Sequence, residues 1–181
     1  MSSNNGNKLE KGYVQVYTGN GKGKTTAAMG LAFRSLGAGL KTYFGQFMKG
    51  QKYSELEAAR MSAPYITMEQ YGEPTFIHIQ GASETTREKA KAGVQRAKEV
   101  IASGQYDTVV LDEICTAHHF GLVSTEEILD IMRERPENLE LILTGRYASP
   151  EVSEAADLVT EMVEVKHYFQ QGVLERTGIE R

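Results

Sequence analysis

Cysteine, tryptophan and long apolar runs are scarce or missing in this sequence. Its 181 residues include one cysteine, Cys115, and no tryptophan. A single cysteine excludes a disulfide within the chain and favours a reducing compartment. No apolar stretch approaches the roughly 20 residues that span a bilayer, and the polar residues 1–12 lack the apolar core of a signal peptide. We therefore expect a cytoplasmic protein without a membrane partner, in which residues 1–12 form a flexible polar tail.

An excess of basic residues is also missing. The chain has 20 Lys and Arg against 24 Asp and Glu, so its formal net charge is −4. Proteins that coat nucleic acids need a basic face, and we therefore expect no nucleic-acid partner. The length fits one domain with its own core, which we expect over residues 13–181.

The sequence does contain a glycine-rich segment between a strand pattern and a helix pattern. Residues 13–17 form an apolar β-rich run, residues 18–26 read TGNGKGKTT, and a helical pattern follows over 25–36. Glycines let backbone N–H groups converge on an anion, and the helix N-terminus adds positive charge. Although Thr18 replaces the first glycine of the usual pattern, the order of parts favours a phosphate-binding loop over a turn that binds nothing.

Each residue of this loop is a candidate for binding the phosphates of a nucleotide. Lys24 is expected to lie in an exposed part of the loop and to neutralise the phosphates, and the Thr25 hydroxyl is expected to hold Mg²⁺. The candidates are Thr18, Gly19, Asn20, Gly21, Lys22, Gly23, Lys24, Thr25 and Thr26.

A second motif pairs an apolar strand with two acids. Residues 108–113 read TVVLDE, in which Asp112 and Glu113 follow a run typical of a buried strand. A carboxylate in this position lies beside the phosphate loop and can ligate Mg²⁺. The alternative is a surface acid pair that caps the next helix. The pattern does not distinguish which acid contacts the metal, and Glu113 could serve as a ligand or as a base.

Four further side chains have less defined roles. Arg146 follows a buried strand and could clamp a terminal phosphate, although a solvated loop arginine explains it equally well. His118 and His119 are adjacent, so on a helix they point in different directions, which is poor geometry for a shared metal. Cys115 has no nearby cation in the sequence and is interpreted as buried rather than nucleophilic.

Alternating strand and helix patterns predict an α/β fold with a mostly parallel sheet and helices on both faces. Ligands of such sheets bind at the carboxyl ends of the strands, where Lys24, Gln46, Lys49 and the acid pair are expected to meet. The predicted strands are 13–17, 41–47, 65–70, 107–113, 139–143 and 158–165, and the predicted helices cover 84–103 and begin near 25, 54, 124 and 149. Capping boxes are expected at Ser54 and at Ser124.

An ordered set of motifs resembles the P-loop type of cob(I)alamin adenosyltransferase, also called corrinoid adenosyltransferase. The resemblance covers nearly all of residues 12–181. The motifs are VYTGNGKGKTTAAMGLAFRSLG at 16–37, GQFMKG at 45–50, VVLDE at 109–113, LILTGR at 141–146, ADLVTEM at 156–162 and VKHYFQQGVLERTGIE at 165–180.

The resemblance implies a three-layer RecA-like fold, a homodimer and a transferase that moves the 5′-deoxyadenosyl group of ATP to cobalt(I) of a corrinoid. Triphosphate is the leaving group, and the reaction serves adenosylcobalamin biosynthesis or salvage. By this resemblance ATP binds turned around in the loop, where Lys24 neutralises the triphosphate and Lys22 assists. Arg146, placed after a buried strand, is a further candidate for binding ATP. Thr25 and an acid of the Asp112–Glu113 pair hold Mg²⁺, and Lys24 and Glu113 are the residues expected to take part in the chemistry. A transient electron donor such as a flavodoxin is a further expected partner.

The corrinoid contacts are expected in the loop over 71–81. Relatives place a Phe/Trp pair there, and because this chain has no tryptophan, the substitutes are Tyr71, Phe76 and Ile77. The alternative is that these residues simply pack on the core. For the whole chain, the alternative function is a P-loop phosphotransferase or ATPase such as a small nucleoside kinase.

Overall fold

Six short strands form one sheet in which every neighbouring pair is parallel. The computed structural model describes residues 8–73 and 83–181. The strands are β1 (Val14–Thr18), β2 (Thr42–Gln46), β3 (Ile66–Gln70), β4 (Thr108–Asp112), β5 (Glu140–Thr144) and β6 (Leu158–Glu161), in the spatial order β3-β2-β4-β5-β1-β6. This confirms the predicted α/β class, and among the described residues the sheet is wholly rather than mostly parallel.

Helices connect the strands and cover both faces of the sheet. They are α1 (Lys24–Gly37), α2 (Ser54–Met61), α3 (Glu84–Ala102), α4 (Ile114–His119), α5 (Thr125–Glu134) and α6 (Pro150–Ala155), and a 3₁₀ turn spans Tyr168–Gln171. The boundary between a tail over 1–12 and a domain over 13–181 stays a prediction.

The period of two along each strand divides the core between the two faces. In β4, Val109 and Leu111 pack with α3, α4 and α5 on one face, whereas Val110 packs with Ala28 of α1 on the other. All three side chains are fully buried, as expected for a central strand of a parallel sheet. The three apolar residues before the acid pair therefore contribute to the core on both faces of the sheet.

Of the two predicted capping boxes, one is present in the structure and the other is not. The Ser124 hydroxyl oxygen accepts a hydrogen bond from the Glu127 backbone N–H, and the Glu127 carboxylate accepts one from the Ser124 backbone N–H. The capping box of α5 is therefore confirmed. The capping box at Ser54 is wrong, because Ser54 is already the first helical residue and Tyr53 precedes it without a side-chain cap. The Ser54 hydroxyl instead donates to the carbonyl of Arg181, a contact 127 residues away along the chain.

Other departures from the predicted pattern concern short elements. Helix α4 begins directly after Glu113 and has no counterpart in the predicted pattern. Strand β6 ends at Glu161 rather than at residue 165, and all four of its residues are exposed at the sheet edge. In the described part of the chain, no helix is both long and apolar enough to cross a membrane.

Parallel pairing brings the carboxyl ends of the strands to one edge. In the sheet register Gln46 of β2 lies opposite Asp112 of β4, and Tyr17 of β1 lies opposite Thr144 of β5. The loop after β1, the acid pair after β4 and the end of β5 therefore meet at the same rim.

Two helical glycines provide a matched test of the packing. A Cβ at Gly93 of α3 would lie 2.8 Å from the Tyr71 ring and 2.9 Å from the Phe47 ring, whereas a Cβ at Gly30 of α1 would meet nothing within 4 Å. We expect Gly93→Ala to lower the free energy of unfolding by about 1–3 kcal/mol through overpacking. Gly30→Ala should raise it by about 0.5–1 kcal/mol, because alanine is the better helix former. Urea denaturation measures both, and shifts of the same sign would contradict this packing.

Candidate nucleotide-binding site

The loop between β1 and α1 is held in a tight arch against the chain that follows β6. Gly19 has a φ of 93°, in the left-handed region that favours glycine. Gly21 donates its N–H to the carbonyl of Met162 at 2.6 Å, and a Cβ at Gly21 would lie 2.7 Å from that same carbonyl oxygen. Gly19 is thus required by backbone angle and Gly21 by the close approach of residue 162.

Lys24 is folded back into this arch. Its ammonium donates to the carbonyl oxygens of Gly19 at 2.7 Å and Gly21 at 2.8 Å. The residue is 7% exposed, so the expectation of an exposed lysine is wrong. Burial lowers the pKa of Lys24; Glu113 opposes this shift, Arg146 adds to it, and Asp112 opposes it. A cation held only by carbonyl oxygens is suited to exchange them for phosphate oxygens.

Asp112 is the acid that contacts the phosphate loop. One of its oxygens accepts from the hydroxyls of Thr25 at 2.9 Å and Thr144 at 2.6 Å. The other accepts from the amide of Gln46 at 3.2 Å and the ammonium of Lys49 at 3.0 Å. The side chain is fully buried. Asp112, rather than Glu113, is therefore the acid that lies beside Thr25.

Glu113 has a different environment from its neighbour. Its backbone is left-handed, with a φ of 61°, and its N–H donates to the Thr144 hydroxyl at 2.9 Å. Its carboxylate accepts from the Thr116 hydroxyl, and the side chain lines the cleft above the loop. The sharp turn therefore directs the two acids of the pair to different places, Asp112 into the sheet rim and Glu113 towards the cleft.

The donor set fits a magnesium ion of the kind that a bound nucleotide brings. The Thr25 hydroxyl and the Asp112 carboxylate are oxygen ligands, which Mg²⁺ prefers, and an ammonium already lies among them. Within residues 8–73 and 83–181 there is no group of three or more His, Cys, Asp or Glu side chains that could hold a metal by themselves. The site is thus suited to a metal whose remaining ligands are phosphates and waters.

A cleft of about 660 Å³ opens above the loop. The residues that line this cleft include 20–26, Lys49, Glu113 and Arg146. The structure therefore brings most of the predicted phosphate contacts together. Arg146 is exposed and its backbone N–H donates to the Thr116 hydroxyl at 2.9 Å. Thr18 lies just outside the cleft and accepts from the Ala148 backbone at 3.2 Å.

The cleft is also lined by His167, Glu175 and residues 178–181, which the local sequence patterns did not assign to the site. The Lys22 ammonium donates to the Ile179 carbonyl at 3.3 Å and lies 3.9 Å from Glu180. Hydrogen bonds from Arg176 and Tyr168 hold the pKa of Glu180 at about 2. In the sequence, only the closing motif over 165–180 could have indicated that these residues belong to the site. That motif is part of the resemblance to corrinoid adenosyltransferases but has no phosphate-binding pattern of its own.

Residues near the start of α2 were also missed. The sequence places Lys49 and Gln46 at the rim without a role and predicts only a helix start at Ser54, and it gives no role to Tyr53. In the structure Lys49 pairs with Asp112 and Glu55, and its ammonium lies 5.4 Å from the centre of the Tyr53 ring. Burial lowers the pKa of Lys49, but the attraction of Asp112, followed by Glu55 and Glu113, outweighs this effect and raises it.

The candidate corrinoid residues are only partly described. Phe76 and Ile77 lie outside the described residues. The ring of Tyr71 lies 5.5 Å from that of Phe47, and its hydroxyl bonds to Glu69 at 2.8 Å and to the Tyr43 hydroxyl. These contacts favour the alternative in which Tyr71 packs on the core, and its corrinoid role stays a prediction.

The two adjacent histidines lie on α4 and have separate partners. His118 shares a hydrogen bond of 2.8 Å with Thr125, and the ring of His119 lies 4.1 Å from that of Tyr147. They have different partners on different elements, in agreement with the expectation that adjacent histidines on a helix point in different directions.

Comparison with known proteins gives consistent matches over nearly the whole chain. The family model for ATP:corrinoid adenosyltransferase BtuR/CobO/CobP matches residues 10–181. A corrinoid adenosyltransferase of Pseudomonas aeruginosa is 35% identical over 179 residues, covering 94% of this chain and 84% of that protein. A corrinoid adenosyltransferase of Escherichia coli strain K12 is 34% identical over 171 residues, covering 94% and 86% respectively.

A solved structure supports the fold independently. The flagellar accessory protein FlaH from Methanocaldococcus jannaschii superposes with a TM-score of 0.58 at 11% sequence identity, covering 84% of this chain and 72% of that chain. At this level of identity the likeness concerns the fold alone.

Cys115 offers a direct check on the site's electrostatics. Burial, with Glu113 acting in the same direction, raises the pKa of its thiol to about 12. At pH 8 its thiolate is then roughly a thousandfold rarer than that of a free cysteine. We expect no measurable reaction of the native protein with Ellman's reagent within minutes and full reaction in guanidinium chloride, followed by absorbance. Release of one equivalent of thionitrobenzoate from the native protein would contradict a buried, neutral thiol.

Proposed function

The chain belongs to the ATP:corrinoid adenosyltransferase family BtuR/CobO/CobP, and we propose that its cleft between the loop and residues 167–181 is where ATP and the corrinoid react. The protein is a transferase that adenosylates corrinoids with ATP in cobalamin biosynthesis. The observation that carries the assignment of the site is that Lys24 and Thr25 line one cleft while the buried Asp112 accepts a hydrogen bond from Thr25 directly beneath it.

The reaction asks the protein for position and charge rather than for a base. Cobalt(I) of the corrinoid attacks C5′ of ATP, the cobalt–carbon bond forms, the C5′–oxygen bond breaks, and triphosphate leaves with the electron pair. The nucleophile carries no proton, so no side chain has to remove one. What lowers the barrier is the fixed approach of the two reactants and the neutralisation of the leaving triphosphate.

The loop supplies most of this neutralisation. Its backbone N–H groups and the N-terminus of α1 face the phosphates, and Lys24 exchanges the carbonyls of Gly19 and Gly21 for phosphate oxygens. Arg146 reaches the same cleft from the end of β5. Lys22 assists less, because residues 179 and 180 already hold its ammonium.

Mg²⁺ belongs to the proposal through the fit of its donor set. The Thr25 hydroxyl and the Asp112 carboxylate would hold it, and when bound it supplies positive charge to the triphosphate. Glu113 takes part from the cleft side, where it faces Lys24 and stabilises its charge, without acting as a base. Tyr71, Phe76 and Ile77 remain the proposed corrinoid contacts.

The proposed setting is a cytoplasmic homodimer that receives electrons from a transient donor such as a flavodoxin and has no nucleic-acid partner. A dimer would cover apolar side chains that one chain leaves in water. Leu158 and Val159 of the edge strand are each 44% exposed, and Val165 beyond it is 92% exposed. The domain over 13–181 would be the unit that pairs.

The products distinguish this reaction from that of an ordinary P-loop phosphotransferase or ATPase, which the family relationship does not favour. We expect anaerobic incubation with ATP, Mg²⁺ and a chemically reduced corrinoid to release triphosphate in step with the cobalt–carbon product. Phosphorus NMR would identify the released species, and the visible spectrum would follow the corrinoid. Release of ADP or phosphate in that same ratio would overturn the proposal.

Two lysines of the loop should differ in their contribution. We expect Lys24→Ala to lower adenosylation by on the order of 100-fold or more, because it removes the charge closest to the phosphate arch. Lys22→Ala, two residues away, should cost less than roughly tenfold, since its ammonium is held by residues 179 and 180. The same assay measures both variants.

Thermal unfolding is the control for these two variants, because Lys24 is buried. Both should melt cooperatively near the wild-type temperature. Undiminished turnover of Lys24→Ala, or an equal loss in both variants, would contradict the role given to Lys24.

A further inference from the structure

A lysine outside the phosphate loop occupies the place where a cation would be expected. The Lys49 ammonium lies 3.0 Å from an Asp112 oxygen, 3.4 Å from the Thr25 hydroxyl and 3.5 Å from a Glu55 oxygen. These are oxygens of the kind that surround a divalent metal, and two of them belong to the residues that fit Mg²⁺. The position between Thr25 and Asp112 is thus already filled by a positive charge.

The chain around Lys49 is built to hold it there. Met48 directly before it is a non-glycine residue with a φ of 61°, a conformation that costs free energy and persists only where the surroundings impose it. The Lys49 carbonyl accepts from the Gly72 backbone at 2.9 Å, which fixes the backbone from the other side. The Lys49 side chain is 17% exposed.

The uncharged side chain of Gln46 lies between the two acids that pair with Lys49. The Gln46 amide donates to Glu55 at 3.2 Å and to Asp112 at 3.2 Å, so these acids share one hydrogen-bond donor as well as one ammonium. The Asp112 carboxylate is fully buried, and a buried carboxylate without a cation is strongly disfavoured. Lys49 is the only lysine or arginine that forms an ion pair with Asp112 in the described part of the chain.

Two cations cannot share this space at such short distances, because their repulsion at a few ångströms in a partly buried site is large. A metal that reaches Thr25 and Asp112 must therefore displace the Lys49 ammonium. The displaced ammonium faces the cleft, where the nearest new partners would be the anionic oxygens of a nucleotide triphosphate.

We propose that Lys49 is a resident counter-cation of the metal position, which neutralises Asp112 while the site is empty and moves to the triphosphate when Mg²⁺ and nucleotide arrive together. This inference rests on the proposed magnesium role of Thr25 and Asp112. It makes metal binding depend on nucleotide, because only the triphosphate provides a new partner for the displaced ammonium.

Metal binding without nucleotide tests this proposal. Mn²⁺ serves as the probe, since its oxygen-ligand preferences resemble those of Mg²⁺, and electron paramagnetic resonance counts the free ion. We expect the wild-type protein to bind Mn²⁺ weakly unless ATP is present. Lys49→Met, which keeps the length of the side chain but removes its charge, should bind Mn²⁺ alone at least roughly tenfold more tightly.

Thermal unfolding provides a second readout. In EDTA we expect Lys49→Met to melt roughly 5–10 °C below the wild type, because Asp112 is left buried without a cation. Millimolar Mg²⁺ alone should recover most of this loss, whereas it should leave the wild type unchanged. Lys52→Met is the matched control: it removes an exposed lysine three residues along and should behave as the wild type in both measurements.

Adding Asp112→Asn to Lys49→Met should abolish the gain in Mn²⁺ binding, since the carboxylate that attracts the metal is then neutral. Tight Mn²⁺ binding by the wild type without ATP would overturn the proposal even if Lys49→Met failed to fold. So would equal Mn²⁺ affinities in the two proteins. Neither measurement uses adenosyl transfer, so a failure here is distinguishable from a failure of the proposed function.

Discussion

One buried carboxylate ties together the parts on which the site depends. Asp112 at the end of β4 accepts from Thr25 of α1, from Thr144 at the end of β5 and from two residues associated with β2. The first turn of α1, and with it the phosphate loop, is thereby fixed to three neighbouring strands. Because the group is fully buried and its hydrogen bonds reinforce one another, the network permits few alternative arrangements. A loop anchored in this way presents its N–H groups to phosphate without first having to become ordered.

The second constraint acts on the other side of the loop. The chain after β6 runs so close that Gly21 bonds to the carbonyl of Met162, and His167, Glu175 and residues 178–181 then line the same cleft as the loop. The cleft is therefore made from both ends of the domain. This arrangement suits a reaction in which the protein supplies orientation and charge, because side chains from distant parts of the chain converge on one space.

Three lysines of the site are held by oxygen atoms of the protein itself. Lys24 is held by loop carbonyls, Lys49 by two acids, and Lys22 by the carbonyl of Ile179. Each of these contacts is with an oxygen, so a phosphate oxygen can replace it with little change in geometry. The folded protein thus avoids the repulsion that several unpaired positive charges around one loop would cause. Binding of nucleotide becomes an exchange of partners rather than a new ordering of side chains.

The sequence alone determined the order of the strands and of the helices other than α4, the glycine-rich loop, the acid pair and the family, because each of these depends on residues that are neighbours in the chain. Glycine spacing, apolar runs of strand length and the Ser124 capping box are local signals of this kind. Only the tertiary structure decided that Lys24 is buried, that Asp112 rather than Glu113 contacts Thr25, and that Ser54 bonds to Arg181 instead of capping α2. The contact between Lys49 and Asp112 joins residues 63 apart, and that between Lys22 and Ile179 joins residues 157 apart. Such pairs leave no periodic trace in the sequence, since the register of the sheet and the path of the returning chain bring them together.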